Sequence, residues 1–375
     1  MKIETIAIHA GHHVDSATRS IAPPIYLTTT FERDQNGEYP AGFKYTRADN
    51  PNRRMLESCL TQLEGGRAAM AFSSGSAATM SVFQALKPGD HVIAPDDVYH
   101  GTSHMLKSIM KDWQLDFSFV DTTDIESIKS AIKSNTRMIF IETPSNPLLK
   151  ITDIKSVADL AHDHDAIAVC DNTWATPILQ RPFELGIDLI VHSNTKYMGG
   201  HSDVLGGAVI AKEMNDFSER IKNIQTSAGA VPSPFDSWLV LRGIQTLPYR
   251  MRGHCENAMK VAQFLKTVPN VSKINYPGLE EHPGHNIANQ QMSLFGGMIS
   301  FQIKGDRTDA MQLVTRTKVF KRATSLGGVE SLIEHRASVE QPDTKTPQNL
   351  IRVSVGLEHS DDLIKDLDEA LNNRQ

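Results

Sequence analysis

Lys196 stands in the run Ser193-Asn194-Thr195-Lys196-Tyr197, directly after the apolar stretch Leu189-Ile190-Val191-His192. A lysine between hydroxyl residues at the carboxyl end of a strand is suited to Schiff-base chemistry beside a phosphate, because doubly wound sheets place ligands at those ends. Upstream, Asp171 closes another apolar run, Val169-Cys170-Asp171. A carboxylate so placed can hold a pyridine nitrogen protonated, and that charge makes the ring an electron sink. A third segment, Ser73-Ser74-Gly75-Ser76, joins Ala69-Met70-Ala71-Phe72 to an apolar helical stretch. Small residues opening a helix offer free N–H groups and the positive end of the dipole to a phosphate. Each feature also has a plain structural reading: a solvated lysine, an aspartate capping a helix, an N-cap with tight packing. Neither G-x-G-x-x-G nor G-x-x-x-x-G-K-[ST] occurs in the glycine segment, so a single phosphate fits better than a dinucleotide or a triphosphate.

These residues need a scaffold, and the hydropathy pattern supplies one. From about Ala68, short β-branched runs (His91 to Ala94, Phe117 to Val120, Met138 to Ile141, Ile167 to Cys170, Leu189 to His192) alternate with helical stretches. Ile125 to Ile132 and Ile154 to Ala161 repeat apolar residues at helical spacing. That order predicts a mainly parallel, doubly wound α/β sheet over residues 61–245. After about Gln245 the order changes to a long helical segment (Met259 to Leu265), a strand (Met298 to Ile303), a helix (Ala310 to Thr315), strands near Lys321 and Leu350, and a terminal helix whose Leu363, Ile364, Leu367, Ala370 and Leu371 form a packing stripe. Residues 246–375 therefore read as a smaller α+β domain. Residues 1–60 read as an extended N-terminal arm, because Pro23, Pro24, Gly37, Pro40, Gly42 and Pro51 interrupt every apolar run.

Composition narrows the function. At 375 residues the chain can bury two cores, and its 40% hydrophobic and 22% charged content is that of a folded protein. A net charge of −6 without a basic cluster argues against nucleic acid and anionic membranes. Cys59, Cys170 and Cys255 are scattered and form no C-x-x-C; they read as reduced thiols. No apolar run nears the ~20 residues of a membrane span, and none follows Met1-Lys2-Ile3-Glu4-Thr5 as a leader core would, so a cytoplasmic protein is expected. His9, His12 and His13, with His282 and His285, form no closed ligand set, and no metal is expected.

Beyond these single features, ordered motifs run almost from end to end: Tyr45-Thr46-Arg47 with Asn50-Pro51, Ser73-Ser74-Gly75-Ser76, Tyr99, Glu142-Thr143-Pro144-Ser145-Asn146-Pro147, Asp171-Asn172-Thr173, Ser193-Asn194-Thr195-Lys196, Ser325-Leu326-Gly327-Gly328 and Arg352-Val353-Ser354-Val355-Gly356. In these the chain resembles the Cys/Met-metabolism family of pyridoxal-phosphate enzymes, which includes cystathionine γ-synthase, the cystathionine β- and γ-lyases and methionine γ-lyase. The resemblance implies the aminotransferase-like fold type I and pyridoxal 5'-phosphate as cofactor. It implies that Lys196 carries the cofactor and then removes the substrate's α-proton, that Asp171 pairs with the pyridinium nitrogen, and that Tyr99 stacks on the ring. Asn146 and Thr173 are to orient the ring's oxygen side; Gly75, Ser76, Ser193 and Thr195 are to hold the phosphate. Tyr45 and Arg47 are to reach the phosphate in a neighbouring subunit, which makes the active unit a homodimer, commonly within a tetramer. Arg352 is to clamp the substrate α-carboxylate, with Asn146 and Ser325 beside it.

Two departures from the family pattern bear on the reaction. Where γ-synthases and γ-lyases typically read Tyr-Gly-Gly-(Ser/Thr)-x-Arg, this chain reads Tyr99-His100-Gly101-Thr102-Ser103-His104, and Thr324 replaces the usual glutamate before Ser325. His104 and Thr324 thus imply a distal pocket without charge, looser substrate positioning, and a carbon–sulfur lyase favouring β-elimination of cystathionine, since γ-chemistry needs a second placed proton transfer. A γ-replacement transferase acting on an O-acylhomoserine is the alternative. A cofactor-binding scaffold without turnover has no reason to keep Lys196, Asp171, Tyr99 and Arg352 together.

Overall fold

β-Branched runs bounded by turn residues form the strands and the amphipathic stretches between them form the helices in the computed structural model, which describes residues 1–340 and 345–372. The first seven strands are β1 (Ala68–Phe72), β2 (His91–Pro95), β3 (Asp116–Val120), β4 (Thr136–Glu142), β5 (Ile167–Asp171), β6 (Leu189–His192) and β7 (Gly207–Ala211). They make one sheet in the order β1-β7-β6-β5-β4-β2-β3. The neighbouring pairs from β6 to β3 are parallel, whereas β7 runs antiparallel to both β1 and β6. Side chains alternate between the faces, as the period of a strand requires. Met138 and Phe140 of β4 pack with Val92 and Val169 on one side, and Ile139 and Ile141 pack with Ile93, Ala168 and Cys170 on the other. A sheet covered on both faces favours apolar residues at nearly every position, and β2 is buried throughout, its one polar member His91 bonded to Thr136 and Ser118.

The second sheet has the order β10-β11-β12-β9-β8, from β8 (Val271–Asn275), β9 (Met298–Ile303), β10 (Lys321–Arg322), β11 (Leu332–His335) and β12 (Leu350–Ser354). All its pairs are antiparallel except β10 with β11. The terminal helix Ser360–Asn372 lays Leu363, Leu367, Ala370 and Leu371 into the core under this sheet, with Ile364 at its margin. The helix Leu247–Thr267 joins the two halves. Its first part, through Leu247, Met251 and Cys255, belongs to the core of the large sheet, and its later part, through Ala258, Val261 and Leu265, to the core of the small one.

The N-terminal stretch departs from the expected arm at both ends. Ile3–His9 and Pro51–Glu64 are helices, and Ala7, Leu56, Cys59, Leu60 and Leu63 are buried in the large core. Pro51 is an opener there rather than a breaker: it occupies the first helical turn, where its missing N–H costs nothing, and the Asn50 side chain caps the helix by accepting from Asn52 N at 2.9 Å. Only residues 10–50 have the open, turn-rich character of an arm.

Candidate active site

The parallel strands deliver their carboxyl ends to one side of the large sheet, and the small sheet closes over that side with β12 and the loop before Gly327. Between them lies a cavity of about 430 Å³, large enough for a phosphorylated pyridine together with a small amino acid. β1 leads into Ser74, Gly75 and Ser76; β4 ends on Glu142; β5 ends on Asp171; and the turn after β6 carries Ser193, Thr195 and Lys196. From the other side Thr324, Ser325 and Arg352 reach the same space.

One end of the cavity is built for an anion. The helix Gly75–Gln84 starts there, capped by Ser74 Oγ accepting from Ala77 N at 3.0 Å, which leaves the amides of Gly75 and Ser76 without intrahelical acceptors. The helix start is pressed so close to the turn after β6 that a Cβ on Gly75 would stand 2.7 Å from Ser193 Cβ. Ser193 lines this end as well; its backbone N–H donates to Thr173 Oγ1 at 2.9 Å. The Thr195 hydroxyl hydrogen bonds Gly206 O at 3.2 Å and accepts from Gly206 N at 3.1 Å, so this side chain fixes the turn as well as facing the cradle.

The middle of the cavity holds the titratable groups. Burial raises the pKa of Asp171, opposed by hydrogen bonds from Thr173 and by the nearby His192. Thr173 N donates to Asp171 Oδ1 at 3.0 Å. A carboxyl held against its own desolvation in this way is suited to a cationic N–H partner such as a pyridinium. Behind it His192 Nε2 meets Glu64 Oε1 at 2.5 Å with both side chains fully buried, and Asn172 Nδ2 donates to the same oxygen at 3.0 Å. Burial and then the Asp171 charge push Glu142 well above the carboxylate range, and its Oε2 accepts from Tyr99 N at 2.9 Å. Glu142 thereby sets where the Tyr99 ring enters the cavity.

Lys196 Nζ donates to Ser325 Oγ at 2.7 Å. Burial first, then the Arg352 guanidinium, lower the pKa of its ammonium to about 8. With cofactor stripped from the protein, Lys196 is expected to react with an acylating reagent at a half-maximal rate near this value, not near the ~10.4 of a free lysine. The neutral amine is the nucleophile, so reactivity rises as pH climbs through the lowered pKa. Site-resolved labelling across a pH series reads the midpoint, and a midpoint close to 10 would remove burial as the controlling influence. Ser325, the partner, sits at φ 101°, a backbone region that a residue with a Cβ rarely adopts.

Arg352 Nη1 donates to Asn146 Oδ1 at 2.8 Å, and its Nη2 pairs with Glu334 and reaches Ser325 O at 3.4 Å. Burial and the Arg336 charge pull Arg352 down only to about 10, so it stays cationic at neutral pH. The predicted site residues therefore meet in one cavity, with three exceptions. Tyr45 and Arg47 lie elsewhere on the same chain. Tyr45 is 42% exposed, and Arg47 Nη1 donates to Thr226 O at the end of the helix Asp216–Ala228. His104 is exposed on its helix and does not line the cavity.

Sequence reasoning overlooked Arg336 and His100, both of which line the cavity, and Glu334, which pairs with both arginines. They correct the expectation of a pocket without charge: whatever His104 and Thr324 contribute at their positions, Arg336 brings a guanidinium in from a different segment. The available signal was the short run Leu332-Ile333-Glu334-His335-Arg336, in which charged residues directly follow two apolar ones and must have partners if buried.

Comparison with known proteins places this geometry. The profile of the Cys/Met metabolism PLP-dependent enzyme family matches residues 4–372. The chain is 47% identical over 376 residues to a cystathionine gamma-synthase of Mycobacterium leprae, covering 99% of this chain and 97% of the relative. It is 45% identical to a cystathionine beta-lyase of Coxiella burnetii, covering 98% of this chain and 97% of that one. Among solved structures, metB from Corynebacterium glutamicum superposes with a TM-score of 0.97 at 44% identity, covering 100% of this chain and 98% of that one. A cystathionine gamma-lyase from Lactobacillus plantarum complexed with L-serine superposes at 0.94 with 41% identity, covering 99% and 98%.

Proposed function

The chain belongs to the Cys/Met-metabolism family of pyridoxal-phosphate-dependent enzymes, and from that premise we propose a carbon–sulfur lyase acting on cystathionine or a related sulfur amino acid, with β-elimination favoured. The observation that carries the reading is the single lysine on the cavity wall, with its amine beside Ser325 and its pKa lowered toward neutrality. Pyridoxal phosphate, when bound, supplies an electron sink for the carbanion that α-proton removal leaves. Lys196 Nζ takes that α-proton and returns a proton later, for which a pKa near the working pH is best. Asp171 offers its carboxylate to a ring nitrogen, Tyr99 covers a ring face, and the amides of Gly75 and Ser76 with Ser193 and Thr195 hold a phosphate. Arg352 takes the substrate α-carboxylate, with Asn146 and Glu334 fixing its plane.

Elimination at the β-carbon needs one proton removal before the thiolate leaves, whereas γ-chemistry needs another proton moved at the β-carbon. With one amine on the wall among the described residues, the shorter sequence is favoured. The second reading is γ-replacement on an O-acylhomoserine, supported by the identity to a named gamma-synthase, which matches that to a named beta-lyase within two percentage points. Product analysis separates them. L-cystathionine is expected to yield mainly pyruvate and homocysteine; a majority of 2-oxobutyrate overturns the β-preference. If neither keto acid forms but O-succinyl-L-homoserine and cysteine give cystathionine, the transferase reading holds instead.

The open arm of residues 10–50 supports a homodimer as the active unit, with Tyr45 and Arg47 completing the phosphate site of the partner, commonly within a tetramer. No helix among the described residues is long and apolar enough to cross a membrane. The three cysteines are unpaired and buried, which suits a reducing, cytoplasmic setting.

A further inference from the structure

Arg336 opens a short 3-10 turn directly after β11 and is only 2% exposed, yet it lines the active-site cavity. A guanidinium buried to that degree must have its charge answered and its donors directed. Its Nη1 donates to Glu334 Oε1 at 3.1 Å and its Nε to Glu340 Oε1 at 2.7 Å. Its Nη2 meets His100 Nδ1 at 3.4 Å. Arginine has no acceptor, so Nδ1 of His100 must accept and Nε2 must carry the ring proton. Burial and the two arginines lower the pKa of His100, which keeps the imidazole neutral. Its Nε2–H has no protein partner among the described residues, and His100 lines the cavity beside the Tyr99 ring at a centroid distance of 4.7 Å. The guanidinium has five N–H groups, of which the three bonds above use three. Arg352 and Arg336 are balanced by Glu334 and Glu340, so this wall offers an anion aimed donors rather than excess charge.

We propose that Arg336 and His100 form a seat for a second carboxylate of the substrate, the one carried by its leaving group, separate from the α-carboxylate that Arg352 takes. The inference rests on the lyase or transferase reading above and names its substrate class: amino acids whose departing thiol or acid bears its own carboxylate. The two remaining guanidinium N–H groups and the imidazole N–H suit a planar acceptor with two oxygens, and a fork of this kind discriminates by hydrogen bonding as well as charge. The shared Glu334 ties the two seats together, so their spacing is set by one side chain.

The test uses holoenzyme and two substrates differing only in that group: L-cystathionine, and S-(3-aminopropyl)-L-cysteine, which keeps the thioether and the distal ammonium but lacks the distal carboxylate. Wild type should favour cystathionine in kcat/KM, and Arg336→Met should lower that preference about 10- to 100-fold. His100→Phe, which keeps a ring beside Tyr99, should lower it in the same direction but less. Should Arg336→Met fail to fold because Glu340 loses the guanidinium that answers its charge, the double variant Arg336→Met/Glu340→Gln removes both charges and is expected to lose the same preference. The inference is overturned if wild type shows no preference, or if the variants reduce both substrates by equal factors, which is what a brace for Arg352 alone would do. Absence of keto acid from either thioether counts against the lyase reading, not this one; the seat is then read from O-succinyl- against O-acetyl-L-homoserine with cysteine, where Arg336→Met must erode the preference for the succinyl ester.

Discussion

Replacing Lys196 with alanine is expected to lower turnover of L-cystathionine by about four orders of magnitude or more while leaving the fold intact. The side chain combines two tasks that no neighbour can assume. It is the amine to which a carbonyl cofactor can be linked, and it is the base placed at the α-carbon. Tyr99 also lines the cavity, but its phenol has no amine to offer. The cost to stability is small for a physical reason. Lys196 projects into a cavity rather than into packed core, its amine has one hydrogen-bond partner in Ser325, and its burial already works against the charged form. A change on the order of 1 kcal/mol or less follows. The far-UV spectrum and thermal transition should therefore match wild type, while the visible absorbance of a lysine-linked cofactor disappears. Retention of activity in this variant would remove Lys196 from the mechanism altogether.

The large sheet was legible because its central parallel strands are mostly buried on both faces and carry apolar runs such as Met138 to Ile141 and Ile167 to Cys170. Other elements were hidden by the work their residues do. The helix Leu247–Thr267 was expected only from Met259, because its first turns carry Arg250 and His254, whose burial no polarity pattern reveals. Arg250 is held by Gly243 O at 2.8 Å just before the helix and by Tyr197 O at 2.7 Å, a bond that spans 53 positions. β8 escaped notice because it is an edge strand with Ser272 and Lys273 exposed. β11 escaped because two of its four residues, Glu334 and His335, are polar and nonetheless buried. β7 is the glycine-led strand Gly207–Ala211, whose pairing between β1 and β6 reverses the direction of the sheet there.

The site divides along the same line. Gly75, Asp171, Ser193 and Lys196 were readable because each follows directly on a strand, so local spacing carried the chemistry. What local spacing cannot carry is a partner more than a hundred positions away. Arg352 meets Asn146, Arg336 meets His100, and His192 meets Glu64, in each case through burial rather than through a motif. The expectation of a pocket without charge followed the same limit: it weighed the positions that the family pattern marks, His104 and Thr324, and a guanidinium arriving on the turn after β11 lay outside that pattern.

Mixing an Arg47→Ala variant with a Lys196→Ala variant is expected to restore activity that neither shows alone, when assayed at a cofactor concentration too low to saturate Arg47→Ala. The geometry of the arm's base supports this. The buried Arg53 donates through Nη1 to Thr46 O at 2.9 Å and through Nη2 to Arg47 O at 3.3 Å, while Asn50 Nδ2 donates to Tyr26 O at 3.0 Å and Thr46 Oγ1 at 3.1 Å. The backbone of residues 45–47 is thus tied to the chain's own helix Pro51–Glu64, and the Tyr45 and Arg47 side chains remain outside their own cavity. The Arg47 side chain makes one hydrogen bond among the described residues, to Thr226 O, so its removal leaves the scaffold standing and any loss belongs to a site elsewhere. If that site is the partner's, a two-fold dimer of the two variants contains one cavity with both lesions and one with neither. Random reassociation makes about half of the dimers hybrid, each with one intact site, so about a quarter of wild-type activity should return. If Arg47 instead served its own chain, every site in a hybrid would still carry one lesion. Hybrids verified by mass and no more active than the average of their parents would therefore overturn the shared site, and with it the reason for an arm that leaves its own domain.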